Sequence, residues 1–243
     1  MIETKLEIPG LGIETVFLRP DGVADFPGVL FLTDVWGVRP ANIAMARRLA
    51  EKGFAMLLPN VFHRYSRMTP DGFESDDPGE QQKRLGQLFQ ALTPSNMVED
   101  GKAYVDFLTA QPGVKNGKVG VVGHCFTGQM AVRIAAAMPD RVAAAASFHG
   151  GFLVTDRPDS PHRILAPIKA RLYFAHAVED DSATPEHVAA LEQALRDWHG
   201  AFQSEVYEGA RHGWTLPGRP VYNELQAERA FEKEVELFDA TLK

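Results

Sequence analysis

The sequence of 243 residues predicts an α/β fold: a mostly parallel central sheet, helices on both faces and an antiparallel N-terminal edge hairpin. Two observations lead to this prediction. Short apolar runs bounded by glycine or proline alternate with longer segments of helical periodicity, which is typical of parallel sheets. No internal repeat, low-complexity tract or long linker divides the chain, so residues 1–243 are expected to form a single domain.

The composition excludes several classes of function. Hydrophobic residues make up 45% of the chain, enough for a sizeable core, and the formal charge of -7 argues against a nucleic-acid surface. The first ten residues lack the pattern of a secretory signal, and no apolar run approaches the ~18 residues of a membrane span. A single cysteine fits a reducing compartment. We therefore expect a cytoplasmic protein with no nucleic-acid or membrane partner, either a monomer or a small homo-oligomer.

The first half of the chain predicts a hairpin, two strands and three helices. Alternating residues around a Pro-Gly-Leu-Gly turn indicate an edge hairpin over 4–18. Continuous apolar runs at 28–32 and 54–58 are typical of strands buried on both faces, with a helix between them over 42–52. A long polar stretch at 60–79 is expected to be a functional or disordered loop. Two further helices are predicted over 80–92 and 96–110.

The second half continues the alternation. A strand ends at Gly123, and a helical pattern begins near Met130. Three more strands and two more helices are predicted in the order 142–148, 170–174, helix 185–198, 201–207 and helix 222–242.

The segment 118–130, KVGVVGHCFTGQM, has the layout of a nucleophile elbow. In that motif, G-x-S-x-G, a strand runs into a tight turn that presents one nucleophilic atom, and a helix follows at once. Here the nucleophile is sulfur, Cys125, between Gly123 and Gly128. The following helix N-terminus favours a thiolate. The position two residues after the nucleophile is Thr127, where the motif has glycine.

Four predicted strands end in chemically useful residues, and their order carries more information than any single motif. Ligands bind at the carboxyl ends of parallel strands. Cys125, one acid of the run 179–181 and His212 follow one another as nucleophile, acid and base, the order of the α/β-hydrolase fold. An acid there would fix the histidine tautomer. The residues alone leave the register among Glu179, Asp180 and Asp181 open.

Each candidate also has a purely structural interpretation. A lone cysteine is usually a small buried hydrophobe, a histidine after a strand is often a loop or capping residue, and Asp34 after an apolar strand is often a turn residue. The elbow context favours catalysis for Cys125. The backbone N–H groups of Phe126 and Val35 occupy the two positions expected for an oxyanion hole. No Cys/His cluster indicates a metal site, and no glycine-rich motif indicates a nucleotide cofactor.

Taken together, the motifs resemble the dienelactone hydrolases (carboxymethylenebutenolidases), the cysteine-nucleophile branch of the α/β-hydrolases. The resemblance covers nearly the whole chain and rests on four segments: DVWGV, GHCFTG, AHAVEDDSATPEH and GARHGW. It implies a Cys125, His212 and Asp180 triad without a cofactor. It also implies that Asp34 holds the resting thiol proton.

The chain departs from the family pattern at several places. Asp34 stands where the family has glutamate, and Thr127 replaces a glycine. The family binds a substrate carboxylate with arginines; here the arginine nearest after His212 is Arg219, and further candidates are Arg64, Arg67 and Arg84. The pocket is therefore expected to be more apolar, and its candidate lining residues are Trp36, His124, His149 and Trp214.

The sequence thus predicts a hydrolase of small esters or lactones that works through an acyl-thioester. Two alternatives stay open. One is a thiol-dependent redox or transferase enzyme with the same elbow, although no resolving cysteine is present. The other is a non-catalytic small-molecule binder on a hydrolase scaffold.

Overall fold

The computed structural model describes residues 1–65 and 77–243. Eight strands form one sheet in the order β1-β2-β4-β3-β5-β6-β7-β8. Only the β1–β2 and β2–β4 pairings are antiparallel, and the other five are parallel. The predicted sheet with an antiparallel N-terminal edge is therefore confirmed. The strands are β1 Ile2–Ile8, β2 Ile13–Arg19, β3 Gly28–Leu32, β4 Ala55–Pro59, β5 Val119–His124, β6 Val142–Phe148, β7 Arg171–Glu179 and β8 Phe202–Arg211.

Six α-helices lie between or after these strands, and their starts are set by caps. Proline occupies the first turn of four of them, where its missing N–H has no partner to lose. The first three therefore begin two residues earlier than predicted. The last begins two residues later, because the side chain of Asn223 caps it. The helices are α1 Pro40–Glu51, α2 Pro78–Ala91, α3 Pro94–Thr109, α4 Gly128–Ala137, α5 Pro185–Trp198 and α6 Glu224–Leu242.

The helices cover the two faces of the sheet unequally. α1 and α6 pack on one face through residues such as Leu49 and Phe238. α2, α3, α4 and α5 pack on the other, where Tyr104 and Ile134 are fully buried. Side chains of a strand alternate between the faces, so each core strand needs apolar residues throughout its length, and β3, β4 and β5 are buried at every position.

The structure extends β7 and β8 past their predicted ends at 174 and 207, and it describes only part of the predicted loop over 60–79. β7 continues to Glu179, well past the predicted end at 174, because its parallel pairing with β8 extends to the Glu179–Arg211 pair beyond a register shift. The predicted loop over 60–79 is described only at its two ends: turns over 61–65 and the start of α2 at Pro78, capped by Asp77. The rest of that prediction, including Arg67, lies outside the described residues.

Candidate active site

The predicted site residues all follow strands at one edge of the sheet. Asp34 comes after β3, Cys125 after β5, Asp180 after β7 and His212 after β8. β3 and β5 are neighbours, as are β7 and β8, and β6 lies between the two pairs. Because the carboxyl ends of parallel strands point the same way, these four residues lie at the same edge of the sheet.

The turn at Cys125 is tight and depends on two glycines. Cys125 itself has φ 57°, in the left-handed region that non-glycine residues rarely adopt. A Cβ at Gly123 would lie 2.2 Å from the carbonyl oxygen of Thr127, and one at Gly128 would lie 2.3 Å from Oγ of Ser147. Residues Cys125–Thr127 form a single 3₁₀ turn that leads into α4. The sequence of the elbow therefore folds as its motif predicted.

The hydroxyl of Thr127 stabilises the turn through hydrogen bonds to the backbone. This fully buried hydroxyl accepts a hydrogen bond from the N–H of His124 at 2.9 Å. The same oxygen lies 2.9 Å from the carbonyl oxygen of Thr33 and 3.1 Å from that of Leu32, at the end of β3. The threonine that departs from the family pattern thus ties the elbow to the neighbouring strand.

Cys125, His212 and Asp180 form one continuous chain of contacts. Nε2 of His212 lies 3.1 Å from Sγ of Cys125, and Nδ1 lies 2.7 Å from Oδ2 of Asp180. Oδ1 of Asp180 accepts the N–H of Ser182 at 2.8 Å. Glu179 instead faces Arg211 at 3.6 Å on the surface. Of the three adjacent acids, Asp180 is therefore the one that contacts the histidine.

The electrostatics favour a charged histidine beside the sulfur. Burial lowers the pKa of His212, but hydrogen bonds to Asp180 and Cys125 outweigh burial and raise it to about 10. At neutral pH the ring is then an imidazolium, and its Nε2 lies 3.1 Å from Sγ of Cys125.

The carboxylate of Asp34, which was predicted to hold the resting thiol proton, is hydrogen-bonded to Arg39 and Asn42. Nη2 of Arg39 lies 3.0 and 2.9 Å from the two carboxylate oxygens of Asp34, and Asn42 contributes a longer hydrogen bond of 3.5 Å. Burial raises the pKa of Asp34, and Arg39 partly offsets this. Among the described residues, the hydrogen-bond partner of the Cys125 sulfur is His212, not Asp34. The closer partner for Asp34 is the guanidinium five residues further on in its own loop.

Two of the four predicted lining residues are buried beneath the site. The His124 ring is fully buried, lies 3.2 Å through Nδ1 from the carbonyl oxygen of Leu32, and has its pKa lowered by burial to about 4. It borders a cavity of ≈ 80 Å³ that Glu234 also lines. Trp214 is fully buried against Tyr207, with ring centroids 5.1 Å apart. Both rings fill the core, and their role as lining of a substrate pocket stays a prediction.

The other two predicted lining residues have specific contacts. Trp36 is half-buried, and the guanidinium of Arg219 lies 4.8 Å from its ring centroid. His149 is buried, but its ring accepts the backbone N–H of Cys125 at 3.1 Å. The sequence carried little signal for this contact, because His149 simply precedes two glycines after β6.

Further groups surround Cys125 on the side of the sheet covered by α2. Phe126 stacks on Phe89 with centroids 4.4 Å apart, and Phe152 packs edge-on against both. Two predicted carboxylate-binding arginines are paired elsewhere: Arg64 with Asp100 and Glu99, and Arg84 with Glu80.

Beside His212 an open groove of ≈ 710 Å³ is lined by Asp180, Pro185 and Val221. Within residues 1–65 and 77–243, no group of three or more His, Cys, Asp or Glu side chains could hold a metal ion. In the same described part of the chain, no helix is both long and apolar enough to cross a membrane.

Comparison with known proteins gives a consistent result. Residues 13–242 match the sequence model described as the Dienelactone hydrolase family. A provisionally assigned carboxymethylenebutenolidase of Synechocystis sp. is 29% identical over 245 residues, covering 99% of this chain and 97% of the relative. A carboxymethylenebutenolidase of Rhodococcus opacus is 29% identical over 221 residues, covering 88% of this chain and 81% of the relative.

Among solved structures, a provisionally assigned dienelactone hydrolase from Klebsiella pneumoniae superposes with a TM-score of 0.87 at 21% identity and 98% coverage of both chains. At that identity the likeness establishes the fold alone. The predicted α/β-hydrolase fold is confirmed.

Proposed function

Because this chain belongs to the dienelactone hydrolase family, as its motifs predicted, we propose that it hydrolyses small carboxylic esters or lactones with a Cys125, His212 and Asp180 triad. The observation that carries this proposal is the unbroken chain of contacts from the Asp180 carboxylate through His212 to the sulfur. The lactone class comes from the names of the family and of its relatives. Belonging to this family makes the protein a hydrolase; the triad and the substrate class are what we propose.

The reaction proceeds through a thioester. The thiolate of Cys125 attacks the carbonyl carbon, and the carbonyl π electrons move to oxygen. When the tetrahedral intermediate collapses, the C–O bond breaks, and His212 gives its Nε2 proton to the leaving alkoxide. Neutral His212 then takes a proton from water, whose hydroxide attacks the thioester and expels the thiolate. For a lactone, the alkoxide stays tethered, so the product is a single ring-opened acid.

Backbone N–H groups are proposed to stabilise the negative charge on oxygen. The N–H of Phe126 follows the nucleophile, and the N–H of Val35 follows β3 on the neighbouring strand. Neither of them donates a backbone hydrogen bond between loops or elements of the described residues, so both are available to an oxyanion. Donors that are fixed before the reaction need no reorganisation as charge develops.

An apolar acyl group fits this site better than a carboxylate-bearing one. The cluster of Phe89, Phe126 and Phe152 lies next to the nucleophile, and Phe152 is partly exposed. Arg64 and Arg84 already have acidic partners. Burying apolar surface of the substrate against this cluster contributes about 25 cal/mol per Å².

The test is turnover of a substrate panel by the wild type and by Cys125→Ala. The panel consists of dienelactone, aryl acetates and apolar lactones. Turnover is measured as the amount of product released. We expect the wild type to hydrolyse the aryl ester and the apolar lactone faster than dienelactone, and the alanine variant to lose at least about 10³-fold in kcat/KM. Full turnover in Cys125→Ala would refute the triad. A preference for dienelactone would refute the apolar acyl site only.

The remaining expectations stay proposals of the same kind. The single sheet that runs through the chain supports one domain over residues 1–243. A cytoplasmic location, the absence of nucleic-acid and membrane partners, and a monomeric or small homo-oligomeric state follow from composition.

A further inference from the structure

We propose that His149 is a positioning residue for the nucleophile, whose neutral imidazole holds the strained turn at Cys125 and ties it to the loop that carries His212. This inference rests on the proposed function in one respect: it takes Cys125 as the nucleophile.

The segment after β6 forms hydrogen bonds with both the N–H and the carbonyl oxygen of Cys125. The imidazole of His149 accepts its N–H at 3.1 Å, and the N–H of Gly151 donates to its carbonyl oxygen at 3.2 Å. This matters because Cys125 has φ 57°, a conformation that persists in a non-glycine residue only when its surroundings impose it. A buried backbone N–H also requires an acceptor, and here the acceptor is a side chain.

The contacts of the His149 ring fix its tautomer. Nδ1 accepts the N–H of Cys125, so Nδ1 carries a lone pair and the ring proton is on Nε2. Nε2–H then donates to the hydroxyl oxygen of Thr215 at 2.8 Å. Only this neutral tautomer makes both hydrogen bonds, since a proton on Nδ1 would face another N–H.

The surroundings keep the ring in that neutral form. His149 is fully buried, which lowers its pKa well below the ordinary 6.5, and the nearby charge of His212 lowers it further. The His149 ring lies edge-on to His212 at a centroid distance of 5.2 Å, and edge-on to Trp214 at the same distance. Because the His149 ring stays neutral beside the charged ring of His212, it accepts the N–H of Cys125 throughout the working pH range.

The hydrogen bond to Thr215 connects two strand ends that are not neighbours in the sheet. Cys125 follows β5, whereas Thr215 lies three residues after His212 in the loop that follows β8. The main chain of His149 is itself fixed, because its N–H donates to the carbonyl oxygen of Ala175 in β7 at 2.8 Å. His149 thus spans β5 to β8 and helps set the 3.1 Å separation of Sγ and Nε2 of His212.

Three substitutions separate the two hydrogen bonds. His149→Leu removes both. His149→Asn keeps an acceptor where Nδ1 stood and suits the left-handed backbone at this position, φ 41°. Thr215→Val removes only the bond to Nε2. The matched control is His199→Leu, the same change at an exposed histidine with φ 59° at the end of α5.

The first measurement is steady-state hydrolysis of an aryl acetate. We expect His149→Leu to lower kcat about 100-fold with KM within about threefold, because a small misplacement of the nucleophile affects the reacting geometry more than binding. In His149→Asn, kcat should be within about tenfold of the wild-type value. The kcat of Thr215→Val should lie between those of the two His149 variants. His199→Leu should leave kcat unchanged.

The second measurement does not require turnover. Cys125 is the only cysteine, so whole-protein mass after iodoacetamide treatment reports its alkylation alone. We expect the pH midpoint of the alkylation rate to rise in His149→Leu and to keep its wild-type value in His149→Asn, in samples whose urea unfolding midpoints show that they are folded. The alkylation profile tests the positioning role even if Cys125→Ala retains turnover and the proposed function fails.

Three outcomes would overturn the inference. The first is wild-type kcat and a wild-type alkylation profile in His149→Leu. The second is an equal loss of kcat in His149→Asn and His149→Leu. The third is a loss of kcat in His149→Leu with an unchanged alkylation midpoint. If His149→Leu does not fold, Thr215→Val decides instead, and wild-type behaviour in that variant would overturn the coupling to the His212 loop.

Discussion

Asp34 follows β3 and Asp180 follows β7, and both carboxylates are buried at the same edge of the sheet. Asp180 shares its oxygens between a histidine ring and a backbone N–H, whereas Asp34 faces an arginine of its own loop and an asparagine of α1. A histidine can pass protons and an arginine cannot, and His212 in turn contacts the Cys125 sulfur. Two equal side chains at equivalent places in the fold therefore have different surroundings because of their partners.

A third buried carboxylate extends the comparison. Glu234, on α6, lines the cavity of ≈ 80 Å³ beneath the elbow and has one oxygen without a hydrogen-bond partner in the described structure. Burial raises its pKa to about 8, although Arg48 lowers it. This carboxyl group is therefore expected to be protonated near neutral pH.

The largest effect is expected for Asp180→Asn. An asparagine can present N–H to Nδ1 of His212 and so favour the wrong tautomer, and we expect kcat to fall about 10³–10⁴-fold. Because the hydrogen bond that His212 donates to Asp180 raises the pKa of His212, the decline of kcat/KM that the wild type should show above pH about 10 should move to lower pH in the variant. Activity profiles from pH 6 to 11 measure both.

Asp181→Asn is the control, because this neighbouring acid is exposed and does not contact the triad. Its kcat and pH profile should match the wild type. A large loss in Asp181→Asn together with an active Asp180→Asn would reverse the assignment of the acid.

Glu234→Gln should change stability rather than catalysis. The unfolded chain releases this proton near the ordinary pKa of 4.5 and the folded protein near 8, so the free energy of unfolding falls as pH rises between these values. The slope is at most about 1.4 kcal/mol per pH unit. Urea unfolding at pH 5 and 8 should show a smaller difference in the glutamine variant; an identical pH dependence would mean that Glu234 is ionised in the folded protein.

Asp34→Asn should have the smallest effect. Burial outweighs Arg39 in raising the pKa of Asp34, so the charged form is not strongly favoured, and the half-exposed Arg39 can turn to water. We expect less than a tenfold change in kcat/KM, about 1.4 kcal/mol. A loss comparable to that of Asp180→Asn would show that Asp34 does act on the thiol proton.

The fold was largely predictable because its signals are local. Buried strands such as β3 read as continuous apolar runs, and the elbow combines strand, turn and helix within a dozen residues. Boundaries were less predictable where pairing decides them: β7 extends to Glu179 because β8 pairs with it. The sequence contains the residues of β7 but not the neighbour that keeps them extended.

The site was predictable where chain order itself carries the information. Cys125, an acid near 180 and His212 followed from their order and from the family resemblance, but the choice of Asp180 over its neighbours depended on which carboxylate turned toward the ring. The contacts of Asp34, His124 and Trp214 could not be predicted, because burial and the nearest partner are properties of packing. His149 was named as lining, yet its contact with Cys125 joins residues 24 positions apart.

By itself, the sequence determined the alternation of strands and helices, the strained turn that presents Cys125, and the order of nucleophile, acid and base, because these depend on local periodicity and on topology. Only the tertiary structure decided which buried carboxylate meets a histidine, which meets an arginine and which meets neither. The physical reason is that a buried charge takes its behaviour from its partner within a few ångströms, and those partners come from distant parts of the chain or from loops whose course packing decides.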